Sequence, residues 1–269
     1  MRVEIIPPNL TADDLVALER AVRALERPSF AARLANYVGK PIDLIALAIP
    51  ASARKIAAGA AEGALRAAAR AAISSLDGRM GGAHVTRDRA LLAASGAVGG
   101  FFGLAGLPVE LPVSTVLLLR AIADSARAEG EDLSDPDAAL NCLHVFAMGG
   151  RTAADDAAES GYFTVRALLA QAVSESAKHA LRGRAIDAGA PALARYLAQV
   201  AARFGIVVTE KVAAQAIPMI GAAGGAAINL AFAAHFQGVA AAHFAVRRLE
   251  RRYGPAPVRA QYERIRAAL

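Results

Sequence analysis

Residues 212–246 read VAAQAIPMIGAAGGAAINLAFAAHFQGVAAAHFAV, thirty-five positions without Asp, Glu, Lys or Arg, and Arg247, Arg248, Arg251 and Arg252 follow at once. Such a run is either a helix buried on all sides or a segment that meets lipid. As a single helix it would extend about 52 Å, well beyond the roughly 30 Å of a hydrocarbon core. Pro218 interrupts it, and one long helix can run from about Gly221 to Tyr253. Helical spacing gathers Ile228, Phe232, Phe236, Val239, His243 and Val246 on one face and leaves mostly alanine, with Gln237, on the other. Asn229, His235, Gln237 and His243 would be costly in free contact with lipid. The stretch therefore reads first as the central packing helix of a compact bundle and second as a membrane element.

Alanine supplies 69 of the 269 residues, Trp is absent and aromatics make up 5%. Alanine is the best helix former and leaves a thin side-chain layer, so helices can approach closely. No alternation of apolar and polar residues suggests a sheet. The expectation is an all-α fold, a compact Ala/Gly-rich multi-helix bundle forming one domain over residues 1–269. A docking helix is expected over 12–26, with Thr11 as N-cap and Pro28 beyond its end. Residues 30–76 read as helix broken at Gly39-Lys40-Pro41 and near Pro50, followed by a turn over 77–82. Residues 90–119 are apolar apart from Glu110 and are punctuated by glycines at spacings (Gly96 with Gly100, Gly99 with Gly103) that let helix backbones touch. The prolines around Glu110 predict a break there, then a helix from Pro112 to Glu129 that Gly130 stops. Ser134 or Asp135 caps a helix through Pro136 to Met148. Further helices are expected over 162–182 and from Pro191 to Phe204, the latter ended by Gly205.

The formal charge is +6, but residues 246–269 carry seven arginines against Glu250 and Glu263, so the excess sits in a basic C-terminal tail over 247–269. No aromatic residues alternate with basic ones and no zinc-finger spacing occurs, which argues against a nucleic-acid partner. A basic tail beside an apolar stretch suits anionic lipid, and Arg247, Arg248, Arg251 and Arg252 become candidate membrane-surface residues. Their plainer reading is a solvated helix end that opposes aggregation. Cys142 stands alone, so neither a disulfide framework nor a thiolate metal site is expected. MRVEIIPPNL lacks the features of a signal peptide, and a cytoplasmic protein, peripheral at the inner membrane face, is the expected location.

Phosphate-loop, serine-elbow and zinc-protease motifs are missing, and no cofactor or metal is implied. Ile220 to Gly225 resembles a dinucleotide loop only superficially, because no strand precedes it. Cys142 and His144 point to different sides of a helix, and His235 and His243 are about 12 Å apart along one. Asp155, Asp156 and Glu159 read as a solvated helix start. Glu110 within its apolar segment must be paired, hydrogen-bonded or protonated. Its structural reading is a carboxylate on the positive end of the helix beginning near Pro112. The functional alternative is a buried polar cluster joining Glu110, Glu210, His235 or Asn229. Candidate catalytic residues are thus Glu110, Glu210, His235 and His243, and candidate ligand-binding residues are Arg120, Lys211 and Asn229.

The chain resembles the EcsC protein family. The resemblance is carried by Gly99-Gly100-Phe101-Phe102-Gly103 with Leu107-Pro108-Val109-Glu110-Leu111-Pro112, by the helix to Arg120, and by a C-terminal block. That block comprises Thr209-Glu210-Lys211, Ile217-Pro218-Met219-Ile220-Gly221-Ala222, Gly225, Asn229, Phe232, and Arg247-Arg248-Leu249-Glu250 to Tyr253-Gly254. It covers about residues 30–254. The resemblance implies a bacterial protein associated with an ABC transporter, carries over no catalytic residues, and leaves the chain at most a transporter accessory, since it has no ATPase motif. The leading expectation is a non-enzymatic protein at the cytoplasmic membrane face that binds anionic lipid or a membrane protein. The alternatives are a hydrolase with Glu110, Glu210 and the histidines around a cleft, or a carrier of a hydrophobic small molecule held between residues 90–119 and 212–246.

Overall fold

The computed structural model describes residues 10–26, 30, 34–35, 42–75, 90–97, 103–150, 161–181, 191–215 and 221–269. They form an all-α multi-helix bundle: α1 (Ala12–Leu25), α2 (Ile42–Ala48), α3 (Ala51–Ser75), a 3-10 turn (Gly103–Gly106) leading into α4 (Leu107–Ala128), α5 (Pro136–Met148), α6 (Gly161–Leu181), α7 (Pro191–Gln215), α8 (Gly221–Tyr253) and α9 (Pro255–Ala267). Residues 90–97 are also helical, and no strand occurs among the described residues. The expected breaks at 39–41 and Pro218, the turn at 77–82, Gly99 and Gly100, and the acidic group Asp155, Asp156 and Glu159 lie outside the described residues.

Local chemistry sets several boundaries. The Thr11 hydroxyl accepts the Asp14 N–H at 3.3 Å and opens α1, while Asp13 and Asp14 favour its positive end. Asp135 caps α5 by accepting the Asp137 N–H at 2.9 Å, with Pro136 at the first helical position. Gly130 and Gly254 adopt positive φ (79° and 86°) and end α4 and α8, a conformation with no Cβ penalty for glycine.

Two expected breaks are instead continuous helix. α4 starts at Leu107 and runs through Pro112. Pro108 lies in the first turn, where its missing N–H would have had no helical partner, and Pro112 forfeits one bond while its fixed φ still fits a helix. Glu110 is therefore in the first turn of α4, not in a connecting loop. α7 likewise runs past Gly205 to Gln215. Buried Phe204, Val207 and Val208 pack on the core around that glycine and offset its low helix propensity.

The inner face of α3 is Ala57, Ala60, Ala61, Ala64, Leu65, Ala68, Ala69 and Ala72, all buried, so α4 and α7 pack close against it. Phe146, Phe204, Phe232 and Phe236 form an aromatic centre with neighbouring ring centroids 5.0–6.0 Å apart. A smaller cluster, with Leu18, Val22, Tyr162, Val246, Leu249, Val258 and Tyr262, fastens α1 and α9 to the C-terminal half of α8.

α4 and α8 run side by side in the same direction. Glu110 meets Asn229 near one end, and Glu129, just past α4, meets Arg248 at the other. α7 runs the opposite way, with Lys211 beside Glu110 and the Arg203 guanidinium donating to the Ala147 and Gly150 carbonyls that end α5. A Cβ on Gly96 would sit 2.6 Å from the Gly225 carbonyl oxygen, so the helical residues 90–97 touch α8 at backbone distance. Gly59 and Gly63 on α3, by contrast, face open space. Gly59→Ala and Gly63→Ala are each expected to raise stability by about 0.5–1 kcal/mol. Gly96→Ala should lower it, because the carbonyl cannot yield as a side chain would. Urea midpoints of the three variants check this, and a stabilising Gly96→Ala would contradict the packing described.

Candidate functional site

The first turn of α4, the last turns of α7 and the first half of α8 bring three polar side chains together inside the core. Lys211 Nζ lies 2.8 and 2.9 Å from the two Glu110 carboxylate oxygens. Asn229 Nδ2 donates to Glu110 Oε1 at 2.8 Å and also lies 2.9 Å from the Leu92 carbonyl and 3.1 Å from Ser95 Oγ. The Lys211 and Glu110 side chains are 0% and 2% exposed. The ammonium also sits 4.9 Å from the Phe232 ring centroid. Burial pulls the Lys211 pKa down and the Glu110 carboxylate opposes that shift. The Asn229 Oδ1 is buried without a partner among the described residues. Three donor hydrogens on a sealed carboxylate hold three segments in register, and neither charge reaches solvent where a substrate would meet it.

The remaining candidates lie elsewhere. Glu210 is half-buried on α7 and is not among the groups bonded to Glu110. Arg120 is exposed on the outer side of α4, nearly three turns beyond Glu110. His235 Nε2 donates to the Gly149 carbonyl at 2.9 Å and packs against Phe30 and Phe236. The functional cluster read from sequence thus forms in part, with Glu110, Lys211 and Asn229 together and Glu210, His235, His243 and Arg120 apart.

His243 belongs to a second buried group. Arg166 holds Glu250 through two bonds of 2.8 Å and donates to the Tyr162 hydroxyl at 3.2 Å. Arginine cannot accept, so the Tyr162 proton is free to point to His243 Nδ1, 3.0 Å away. The His144 ring lies 6.0 Å from that of His243. Burial pushes the His144 pKa down to about 3, with Arg166 adding to the shift, and burial with His144 and Arg166 nearby pushes His243 well down. Both imidazoles are therefore neutral at pH 7. Cys142, on the same helix as His144, is driven up to about 12 by burial, so it is an inert thiol. Tyr162 also lines a small cleft with Leu25, Met148, Gly150, Val165 and Arg203. That cleft lies among α1, α5, α6 and α7, not between the two apolar segments proposed to hold a ligand.

The four arginines after the uncharged run pair with carboxylates of the same chain, while the Arg251 and Arg252 side chains stay 42% and 58% exposed. Arg247 binds Glu131 (2.8 Å) and Asp137 (3.4 Å), Arg248 binds Asp14 (3.0 Å) and Glu129 (2.7 Å), Arg251 pairs with Glu131, and Arg252 binds Asp14 (3.1 Å). Tyr253 donates to Asp14 at 2.7 Å, and with Arg248, Thr11 and Arg252 holds that carboxyl down to about 2. Four cations meet four carboxylates in a belt that joins α1, the α4–α5 connection and the end of α8.

Over residues 14–249 the sequence matches the EcsC protein family. The chain belongs to this family. The match begins inside α1, earlier than the 30–254 core expected from sequence, and takes in Asp14, whose partners Arg248 and Arg252 lie at the other end of the chain. No curated protein and no solved structure matches the chain. The sequence sets His144 beside Cys142 on one helix and carries no spacing that connects it with His243, Tyr162, Arg166 and Glu250. The one available signal, two polar residues one turn apart at Tyr162 and Arg166, is common on any helix.

Proposed function

We propose that this EcsC protein is a non-enzymatic bacterial protein of the cytoplasmic membrane face that binds lipid through the shared outer face of α4 and α8. The observation that carries this reading is an uncharged outer surface on two parallel helices. Glu110 and Asn229 point at each other, Val109 precedes the one and Leu230 follows the other, and about 100° per residue turns both to the same side. Val109, Val113 and Leu230 are 74%, 50% and 41% exposed. Ala105, Ala227, Ala234 and Ala241 continue the face, and its first charge on α4 is Arg120. A contiguous exposed apolar surface of this kind is a recurrent mark of a membrane or protein contact.

Among the described residues one helix, α7, is long and apolar enough to cross a membrane, and a core helix passes that test too. α7 carries the buried Lys211 and packs on α2, α3, α5, α6 and α8. That supports peripheral attachment. An accessory role beside a membrane transporter is compatible with such a surface. In liposome flotation the wild-type chain is expected in the lipid fraction, and Val109→Asp with Val113→Asp should leave most of it below. Full recovery of the wild type in the unbound fraction at low salt would sink the reading.

A further inference from the structure

The corner between α2 and α3 breaks two local rules without structural return. From Leu47 to Ala61 the charged residues are Arg54 and Lys55. Arg54 closes the first turn of α3 and Lys55 follows it, beside a helix end where the dipole favours acids, and that first turn has no acidic residue. Both are exposed, and neither has a hydrogen bond or ion pair among the described residues. Beside them Leu47 is 74% and Ile56 43% exposed. Ala48, Pro50, Ala51, Ser52, Ala58 and Gly59 are exposed as well, so this small-residue corner offers little but two cations and two branched aliphatic side chains.

We propose that this α2–α3 corner docks on anionic phospholipid headgroups. Leu47 and Ile56 enter the interfacial layer while Arg54 and Lys55 pair with phosphate. Charge is the argument for that occupant. Arg247, Arg248, Arg251 and Arg252 are paired with Asp14, Glu129, Glu131 and Asp137, whereas Arg54 and Lys55 have no carboxylate partner among the described residues. Locally unfavourable charge placement is what a binding surface retains and a purely structural helix end discards. The partner class rests on the membrane reading above, but the residues are separate from the α4/α8 face.

The chain has no tryptophan, so Leu47→Trp supplies a single fluorescent reporter in the full-length protein. Its emission is expected to shift to the blue with vesicles of phosphatidylcholine containing a minority of phosphatidylglycerol, and not with phosphatidylcholine alone. Adding Arg54→Gln and Lys55→Gln should weaken binding to the anionic vesicles roughly thirty-fold. Circular dichroism should be unchanged, since all three positions are exposed. If the chain floats with lipid but the emission stays put, the corner assignment is overturned and the membrane reading stands. A shift that neutral vesicles produce equally, or that survives the double Gln change, also overturns it. A shift with protein concentration and no vesicles would identify a second copy of the chain as the occupant instead. If neither flotation nor emission responds to any vesicle, both readings fall.

Discussion

Lys211→Met is expected to cost about 3–5 kcal/mol, the usual penalty for stranding one member of a buried ion pair. The Glu110 carboxylate would keep the Asn229 amide as its remaining donor and lose the ammonium that now lies 2.8 and 2.9 Å from its two oxygens. Water cannot replace it readily, because the two side chains are 0% and 2% exposed and the ammonium lies against the Phe232 ring. Glu110→Leu combined with Lys211→Met removes both charges at similar volume. Buried pairs so replaced by apolar groups often lose little or even gain, so the double variant should recover most of the single variant's loss. Denaturant unfolding of the two singles and the double gives the coupling directly. A loss under about 1 kcal/mol for Lys211→Met alone would mean the pair is not closed off as described. The same variants bear on catalysis. A pair that locks α4 to α7 and α8 makes the folded state depend on it, whereas a catalytic pair would let the folded variant lose only its chemistry.

How much of this was legible beforehand depends on sequence separation. The helix expected from Gly221 to Tyr253 forms over that range as α8, because its apolar periodicity, its Gly254 stop and its lack of charge as far as Val246 are local signals. Thr11, Asp135 and Gly130 act as caps for the same reason. Glu110 was suspected because an acid in an apolar segment needs a partner wherever the chain goes. Asn229, one of the expected cluster members, does bond it, but the charge that pairs it is Lys211 rather than the adjacent Glu210, and one residue is about 100° of helix rotation. The arginine belt was not legible at all. Arg247, Arg248, Arg251 and Arg252 look like surplus charge until Asp14, Glu129, Glu131 and Asp137 arrive from more than a hundred positions away. Net charge per segment is a statement about solvation, and folding brought four carboxylates to the segment that seemed to lack them. The proline and glycine breaks failed for the complementary reason. Pro112 forfeits a helical bond and Gly205 costs backbone entropy, and tertiary packing on either side is worth more than both.

Stability is expected to fall steeply as pH drops below about 6.5, well before the carboxylates titrate. His144 and His243 are held neutral in the fold, with His144 down to about 3 and His243 also well depressed, while in the unfolded chain both take up protons near pH 6.5. The depressed folded pKa fixes the sign. The unfolded state binds more protons as pH falls, so the stability present above pH 6.5 is lost below it. Each histidine contributes a slope that approaches about 1.4 kcal/mol per pH unit below pH 6.5, so the pair removes roughly 3 kcal/mol between pH 6.5 and 5. That is a large share of the 5–15 kcal/mol typical of a folded protein, roughly speaking. Asp14, held down to about 2 by Tyr253, Arg248, Thr11 and Arg252, adds its own loss only below about pH 4. The structural consequence is local at first. A charged His243 would face Arg166 and Arg247 and give up the Tyr162 proton at its Nδ1, and Tyr162 belongs to the cluster that fastens α1 and α9 to α8. Urea midpoints across pH 7.5 to 4.5 should drop in the wild type, and His144→Leu should flatten the slope by about half even if it lowers stability at pH 7. A wild-type slope that persists undiminished in a His144→Leu, His243→Phe double variant would place the proton uptake somewhere else and remove this pair as its source.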